Sequence, residues 1–353
     1  MIIFRADGNR ILGTGHVMRC LSIADAIRKE GGEACFVTAD NNMKELIQNR
    51  GFNCIVLGTD YKNMMDEIPL LKKENDYKKS DTIVVDSYYA TSEYFRAIST
   101  EKKVAYIDDM AEEVYPVDIL INYNIFANEE EYREKYKDSE YKDPKYLMGV
   151  SYAPLRQEFL DASKRKVNPT AKDVLILTGG SDSYHIALNL ARYIVSKESN
   201  INKDSNKLKY HLVIGAMSDD YQDLKKIEDD YSDLIEIHRN VTNMKELMAG
   251  CDLAMSAAGS TMYELCACGV PTITYVLADN QKKIEKGFFE AGIAYTLGDY
   301  RYEGDFFKIA IEKIHELAEN YELRSNLSQK SKRAVDGRGA ERLTREIIKG
   351  YRK

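Results

Sequence analysis

The sequence predicts an α/β protein of two Rossmann-like halves, each a parallel sheet covered by helices. Short β-branched apolar runs alternate with amphipathic helical stretches from the first residue onward, and the same alternation restarts beyond residue 170. The length of 353 residues suffices for two cores of ordinary domain size.

In the first half, strands are expected near Ile2–Phe4, Ala34–Thr38, Cys54–Leu57, Thr82–Val85, Val104–Ile107 and Ile119–Ile121. They are β-branched and lack strict alternation, as strands buried on both faces do. A helix follows the first strand, with Val17, Leu21, Ala24 and Ile27 on one stripe, and is expected to stop at Gly31-Gly32. The charged, tyrosine-rich run Glu129–Tyr146 reads as a solvated surface segment, and SYAPLRQEF after it as the hinge. The second strand set is expected at Val174–Leu177, His211–Ile214, Ile235–His238, Leu253–Met255, Thr272–Tyr275 and Ala294–Leu297. The expected domains are residues 1–153 and 154–353. Ligands of such sheets bind beyond the carboxyl ends of the strands, so the loops after strands carry the functional argument.

Hydrophobic residues at 44% and charged residues at 30% fit a globular protein. The net charge of -7, with no Lys/Arg-dominated stretch, argues against a nucleic-acid partner. The opening MIIFRADG lacks a signal-peptide layout and no apolar run reaches membrane-spanning length, so a cytoplasmic location with no membrane partner is expected. Cys20, Cys35, Cys54, Cys251, Cys266 and Cys268 lie mostly in apolar segments without zinc-site spacing, and are expected as buried reduced thiols with no metal.

Three loops can carry chemistry. RADGNRILGTGHVMRC holds Gly8, Gly13 and Gly15 and runs into a helix at His16. It is neither the dinucleotide fingerprint, since Met18 stands three beyond Gly15, nor a P-loop. A histidine in a first helical turn feels the positive end of the helix dipole, which favours a neutral ring able to take a proton from water. A histidine merely packed under the loop is the alternative, and position alone does not choose. LTGGSDSYH offers backbone freedom at Gly179 and Gly180 for a phosphate, with Ser181 or Asp182 as a helix cap; Asp182 suits loop support better than phosphate contact. SAAGSTMYELCACGVP places Gly259 and Ser260 before a helix, where Thr261-x-x-Glu264 fits a capping box, although Glu264 is also placed to accept ribose hydroxyls. In VLADNQ, Asn280 and Gln281 bring uncharged amides, and Asp279-Asn280 alternatively make a turn and cap.

In this order, Arg5-Ala6-Asp7 with LGTGHVMRCLSIA, VVDSYY, YIDDMA, SYAPLRQEF, TGGSD, SAAGSTMYELCACGVP and LADNQ run almost the length of the chain. The set resembles the UDP-2,4-diacetamido-2,4,6-trideoxy-β-L-altropyranose hydrolases of pseudaminic acid biosynthesis, relatives of the MurG-type glycosyltransferases. That resemblance implies a glycosyltransferase-B fold, two Rossmann-like domains facing a cleft, with a last helix, about 338–353, returning to the first domain. It implies release of UDP from a UDP-linked deoxy amino sugar by inverting water attack at the anomeric carbon, with His16 as base and neither metal nor cofactor. Implied substrate contacts are Arg5, Asp7, Gly13, Gly15, Asp86, Tyr88 and Arg156 from the first half. From the second half they are Gly180, Ser181, Gly259, Ser260, Glu264, Asn280 and Gln281. A monomer or weak dimer is expected. The chain departs from the family at Gly8-Asn9, at Leu12, and in AEEVYPVDILINYN, which lacks the usual arginine and histidine. Two other readings stay open: a MurG-like transferase with a separate acceptor, although no basic apolar run suits a lipid acceptor, and a non-catalytic UDP-sugar-binding protein.

Overall fold

Continuous β-branched sequence becomes the centre of two parallel sheets because such side chains pack on both faces of a pleated surface. The computed structural model describes residues 1–9, 11–110, 112–162, 165–179, 182–198, 207–215 and 218–349. Among these the first sheet contains β1 (Ile2–Ala6), β2 (Ala34–Thr38), β3 (Asn53–Val56), β4 (Thr82–Asp86), β5 (Lys103–Ile107), β6 (Ile119–Asn122) and β7 (Lys145–Met148). Their order is β3-β2-β1-β4-β5-β6-β7, parallel throughout. The second sheet contains β8 (Asp173–Leu177), β9 (Lys209–Ile214), β10 (Ile235–Arg239), β11 (Leu253–Ala257), β12 (Thr272–Val276) and β13 (Ala294–Asp299). It runs β10-β9-β8-β11-β12-β13, again parallel. Every residue of β1, β4, β11 and β12 is buried, whereas the edge strands β3 and β10 are partly exposed.

The chain divides into two compact units, Met1–Gln157 with Gly337–Lys353, and Glu158–Asp336. Each has its own apolar core, around Ile3, Val37, Ile83, Phe95 and Leu120 in the first and Val174, Ile176, Leu212, Met255 and Tyr275 in the second. Among the described residues no helix is long and apolar enough to cross a membrane. All six cysteines are buried and unpaired.

The run Glu129–Tyr146 corrects the sequence reading. It is not a solvated segment: it forms a helix, Glu129–Lys137, and enters β7, a strand the sequence reading lacks. Its tyrosines face inward while its charges stay in water. Tyr132 and Tyr136 are buried, Tyr132 donates to Asp108 Oδ2 at 3.0 Å and Tyr136 donates to the Tyr115 carbonyl at 2.8 Å.

The last helix, Gly339–Ile348, belongs to the first unit, as the resemblance implies. It buries Leu343, Thr344 and Ile347 and lies along the helix Gly15–Lys29. Lys103 Nζ donates to the carbonyls of Ile347 and Lys349 at 3.1 and 3.0 Å, a cation at the negative end of the helix dipole. Gly339 makes the close approach possible, since a Cβ there would stand 2.1 Å from the Ala153 carbonyl oxygen. Gly339→Ala is therefore expected to cost about 1–3 kcal/mol by overpacking. The urea midpoint of the first unit should fall, and an unchanged midpoint would refute this account of the contact.

Candidate active site

In each sheet the order reverses direction beside its first strand, between β1 and β4 and between β8 and β11. Loops leaving the paired strands there diverge and open a crevice at the carboxyl ends.

In the first unit the turn after β1 is built by its own residues. Asn9 Oδ1 accepts from Ile11 N and Leu12 N, each at 2.8 Å, and Asn9 and Gly13 exchange backbone bonds. Gly13 needs its positive φ of 74°, and a Cβ on Gly8 would meet the Gly13 carbonyl oxygen at 2.9 Å. The departure Gly8-Asn9 thus has a structural role. The turn delivers a helix, Gly15–Lys29, whose N-terminus has no side-chain cap and whose second residue is His16.

His16 is 5% exposed, and its Nδ1 lies 2.5 Å from Oδ1 of Asp86, the last residue of β4. Arg19, one turn along the helix, holds the same carboxylate through Nε to Oδ2 and through Nη2 to Oδ1 at 2.6 Å. Burial opposes the charge on Asp86, but Arg19 and then His16 outweigh it, and the carboxyl is held down at about 2. An ionised Asp86 only accepts, so Nδ1 carries a proton, and Nε2 is the ring nitrogen left for a further partner. Arg19 Nη2 also comes within 3.0 Å of Nδ1, but two donors face each other there, and both serve Asp86 Oδ1. Tyr88 stands edge-on to the imidazole, centroids 4.5 Å apart, and fixes the ring plane.

Arg19 reaches further. Its Nη1 donates to Tyr123 Oη at 2.8 Å and pairs with Asp109 Oδ2 at 2.7 Å. Loops after β1, β4, β5 and β6 are thereby joined through one guanidinium. Arg5 lies beneath this layer, fully buried, with Nε 2.7 Å from Glu67 Oε1 and Nη1 paired with Asp7. Tyr94 Oη donates to Glu67 at 2.8 Å, and Asp7 Oδ1 accepts from Ala39 N at 2.7 Å. Asp7, Gly13, Gly15, His16, Asp86 and Tyr88 therefore share one edge of the sheet, with Arg5 under it. Arg156 is half-buried in irregular chain at the end of the unit.

In the second unit a cavity of about 430 Å³ opens at the carboxyl ends of β8, β9 and β11. Gly259, Ser260, Glu264 and Gln281 line it, joined by Gly179, Gly215 and Asn240. Asn280 is exposed beside it, and Gly180 and Ser181 lie outside the described residues. The capping box is corrected: the helix Thr261–Cys268 has Ser260 at its N-cap position and no side-chain cap, so Glu264 stands one residue beyond the box position. Asp182 caps the helix Ile186–Glu198 by accepting from Ile186 N and Ala187 N at 2.9 Å each, which matches its reading as loop support. Asp279 does not cap: its Oδ1 pairs with Arg301 and Lys282, both at 2.8 Å. Gln281 Oε1 accepts from Leu277 N at 2.8 Å and ties that loop to the cavity wall.

The sequence reading gave no role to Arg19, Asp109, Tyr123 or Glu67, although Asp109 lies in the matched YIDDMA stretch. For Arg19 there was also a local signal, because an arginine three residues after His16 lies on the same helical face.

Residues 174–338 match the Glycosyltransferase family 28 C-terminal domain. The chain is similar over 99% of its length, and 99% of the other chain, to the crystal structure of Acinetobacter baumannii MurG, with a TM-score of 0.66 at 13% identity. The protein has the glycosyltransferase-B fold, and the family 28 match falls almost entirely within its second unit. It is 30% identical to an uncharacterized protein of Methanocaldococcus jannaschii over 79% of this chain and 56% of that protein. It is also 26% identical, over 87% of this chain and 50% of the other, to a Helicobacter pylori protein. That protein is named pseudaminic acid cytidylyltransferase and UDP-2,4-diacetamido-2,4,6-trideoxy-beta-L-altropyranose hydrolase. The chain spans about half the length of these two curated relatives. The similarity to a protein with this hydrolase in its name agrees with the sequence resemblance, and the solved structure gives the glycosyltransferase-B fold.

Asp86 gives the site an acid-sensitive stability. Its folded value lies below its ordinary 3.8, so the ionised group stabilises the fold above that value, and this is lost as pH falls from about 4 to about 2. The shift corresponds to about 2 kcal/mol. The stability gap between wild type and Asp86→Asn, followed by urea unfolding, should narrow across that interval. A gap constant with pH would show that Asp86 is not held ionised by its neighbours.

Proposed function

We propose that the chain is an enzyme that hydrolyses a UDP-activated 2,4-diacetamido-2,4,6-trideoxy sugar, as the name of its relative suggests. Water attacks the anomeric carbon and loses its proton to His16 Nε2 as the bond to the β-phosphate oxygen breaks. UDP leaves, and the configuration inverts. The observation that carries the reading is the His16–Asp86 contact at 2.5 Å, which presents Nε2 as a base. Asp86 and Arg19 act as positioning residues, Asp86 also offsetting the imidazolium charge that forms. Tyr88, exposed on one side, and Gly13 and Gly15 of the turn are proposed to face the sugar, with Asp7, Arg5 and Arg156 shaping that region.

UDP is proposed to bind in the cavity of the second unit, its phosphates on amides around Gly180, Ser181, Gly259 and Ser260 and its ribose hydroxyls on Glu264. Asn280 and Gln281 are proposed to complete the nucleotide contacts. The helix N-terminus at Ser260 lacks a side-chain cap; Met262 N and Tyr263 N donate to the Gly259 and Ser260 carbonyls, and the positive end of the helix dipole still favours an anion there. The match to a glycosyltransferase domain supports a second reading, transfer to a separate acceptor. Incubation with the UDP-sugar alone separates the two: rapid UDP release supports hydrolysis, whereas silence until an acceptor is added supports transfer.

His16→Asn should cut acceptor-free UDP release by roughly 10²–10⁴-fold while UDP binding, measured by calorimetry, stays near wild type. Full turnover in that variant would remove His16 from the role of base. Glu264→Ala should weaken UDP binding more than about tenfold with a loss of fold stability below the ~1 kcal/mol typical of a helix cap. Losses of binding and stability that match would return Glu264 to a structural role.

A further inference from the structure

We propose that the second unit carries a zinc-class divalent metal site at His211, Glu236 and His238, on the face of β9 and β10. His211 stands opposite Glu236 in the parallel pairing, and His238 follows two residues later, so all three side chains leave the same face of two hydrogen-bonded strands. Their ligand atoms fall within 4.8 Å of one another. His211 Nδ1 is 3.1 Å from His238 Nε2 and 3.8 Å from Glu236 Oε2, and His238 Nε2 is 3.6 Å from Glu236 Oε1. Ligands about 2.1 Å from a tetrahedral zinc stand about 3.4 Å apart, so the two ring nitrogens and one Glu236 oxygen, within 4.8 Å of one another, would draw together modestly to share one ion. Two imidazoles with one carboxylate form a donor set that zinc accepts, and they leave a fourth position for water.

A second observation supports the assignment. His211 Nε2 lies 2.9 Å from Asp173 Oδ1, at the start of β8. A carboxylate there holds the proton on Nε2 and turns the bare Nδ1 toward His238, the arrangement that orients a metal-binding histidine. The side chains of His211 and His238 are 13% and 20% exposed, so an ion can reach them from solvent. Lys209 Nζ lies 2.5 Å from Glu236 Oε2 and holds that oxygen, while Oε1 faces His238. Glu236, Asp173 and Lys209 leave one net negative charge to meet a dication. The bound ion would clamp β10, an edge strand, to β9, and it takes no part in the proposed UDP release.

The test uses the full chain after chelator treatment, titrated with Zn²⁺ by calorimetry and with Co²⁺ by absorption. One equivalent should bind, with visible bands of a tetrahedral nitrogen and oxygen site and no thiolate charge-transfer band, and Zn²⁺ should raise the melting temperature. His211→Ala and His238→Ala should each weaken Zn²⁺ binding at least tenfold, and Asp173→Ala by roughly 10–100-fold, the range for lost outer partners. His185→Ala, at an exposed histidine elsewhere in the unit, should bind like wild type. If an alanine variant fails to fold, Glu236→Gln keeps the shape and should show the same loss. No binding by wild type, a thiolate band, or unchanged affinity in the folded variants would overturn the site.

Discussion

A carboxylate without water needs partners, and the first unit is arranged around that need at Asp86. The residue ends a strand whose every side chain is buried, and it is 1% exposed. Leaving such a charge unpaired would cost several kcal/mol, so its surroundings must supply cations or donors. Arg19 supplies most of it through two bonds, and His16 and the Cys20 thiol approach the remaining positions. Arg19 would in turn be an excess buried cation beside one acid, and Asp109 and Tyr123 complete its fork. Each partner fixes the next, and the imidazole inherits its orientation from a chain of charges that begins under it. Because His16 and Arg19 are one helical turn apart, a single helix start delivers both the base and the group that holds the base's partner.

Much of the fold was legible because parallel strands have a distinctive signature. Runs such as IIFRA, TIVVD and TITYV are apolar or β-branched without alternation, and burial on both faces is what they require. The strand β7 was not legible, since KYLM follows a charged run and its helix carries Glu, Lys and Arg on the outer face. Only the tyrosines, whose rings pack while their hydroxyls reach Asp108 and Tyr115, make that region part of the core. At the candidate site, glycines and His16 could be read because a loop after a first strand restricts what they can do. Arg5 illustrates the limit: an arginine beside a ligand loop reads as a substrate contact, yet its guanidinium is enclosed by Glu67, sixty-two positions away, and by Asp7. Pairings over that separation follow from the way strands are ordered in the sheet, which a local pattern does not contain.

The two units share a strand order and fill the resulting crevice in opposite ways. In the first, ionised side chains crowd the carboxyl edge around the His16 imidazole. In the second, the described lining is uncharged apart from Glu264 and includes Gly179, Gly215 and Gly259 beside apolar side chains such as Leu177 and Met244. Proton transfer needs a group of fixed tautomer, which the ionised Asp86 and its partners supply here. An extended anion needs close approach to backbone amides, which side chains would obstruct. No lysine or arginine lines that second cavity among the described residues, so a diphosphate there would depend on amide dipoles rather than on a point charge. The same topology therefore serves as a frame for either task, and the residues placed at its switch point decide which.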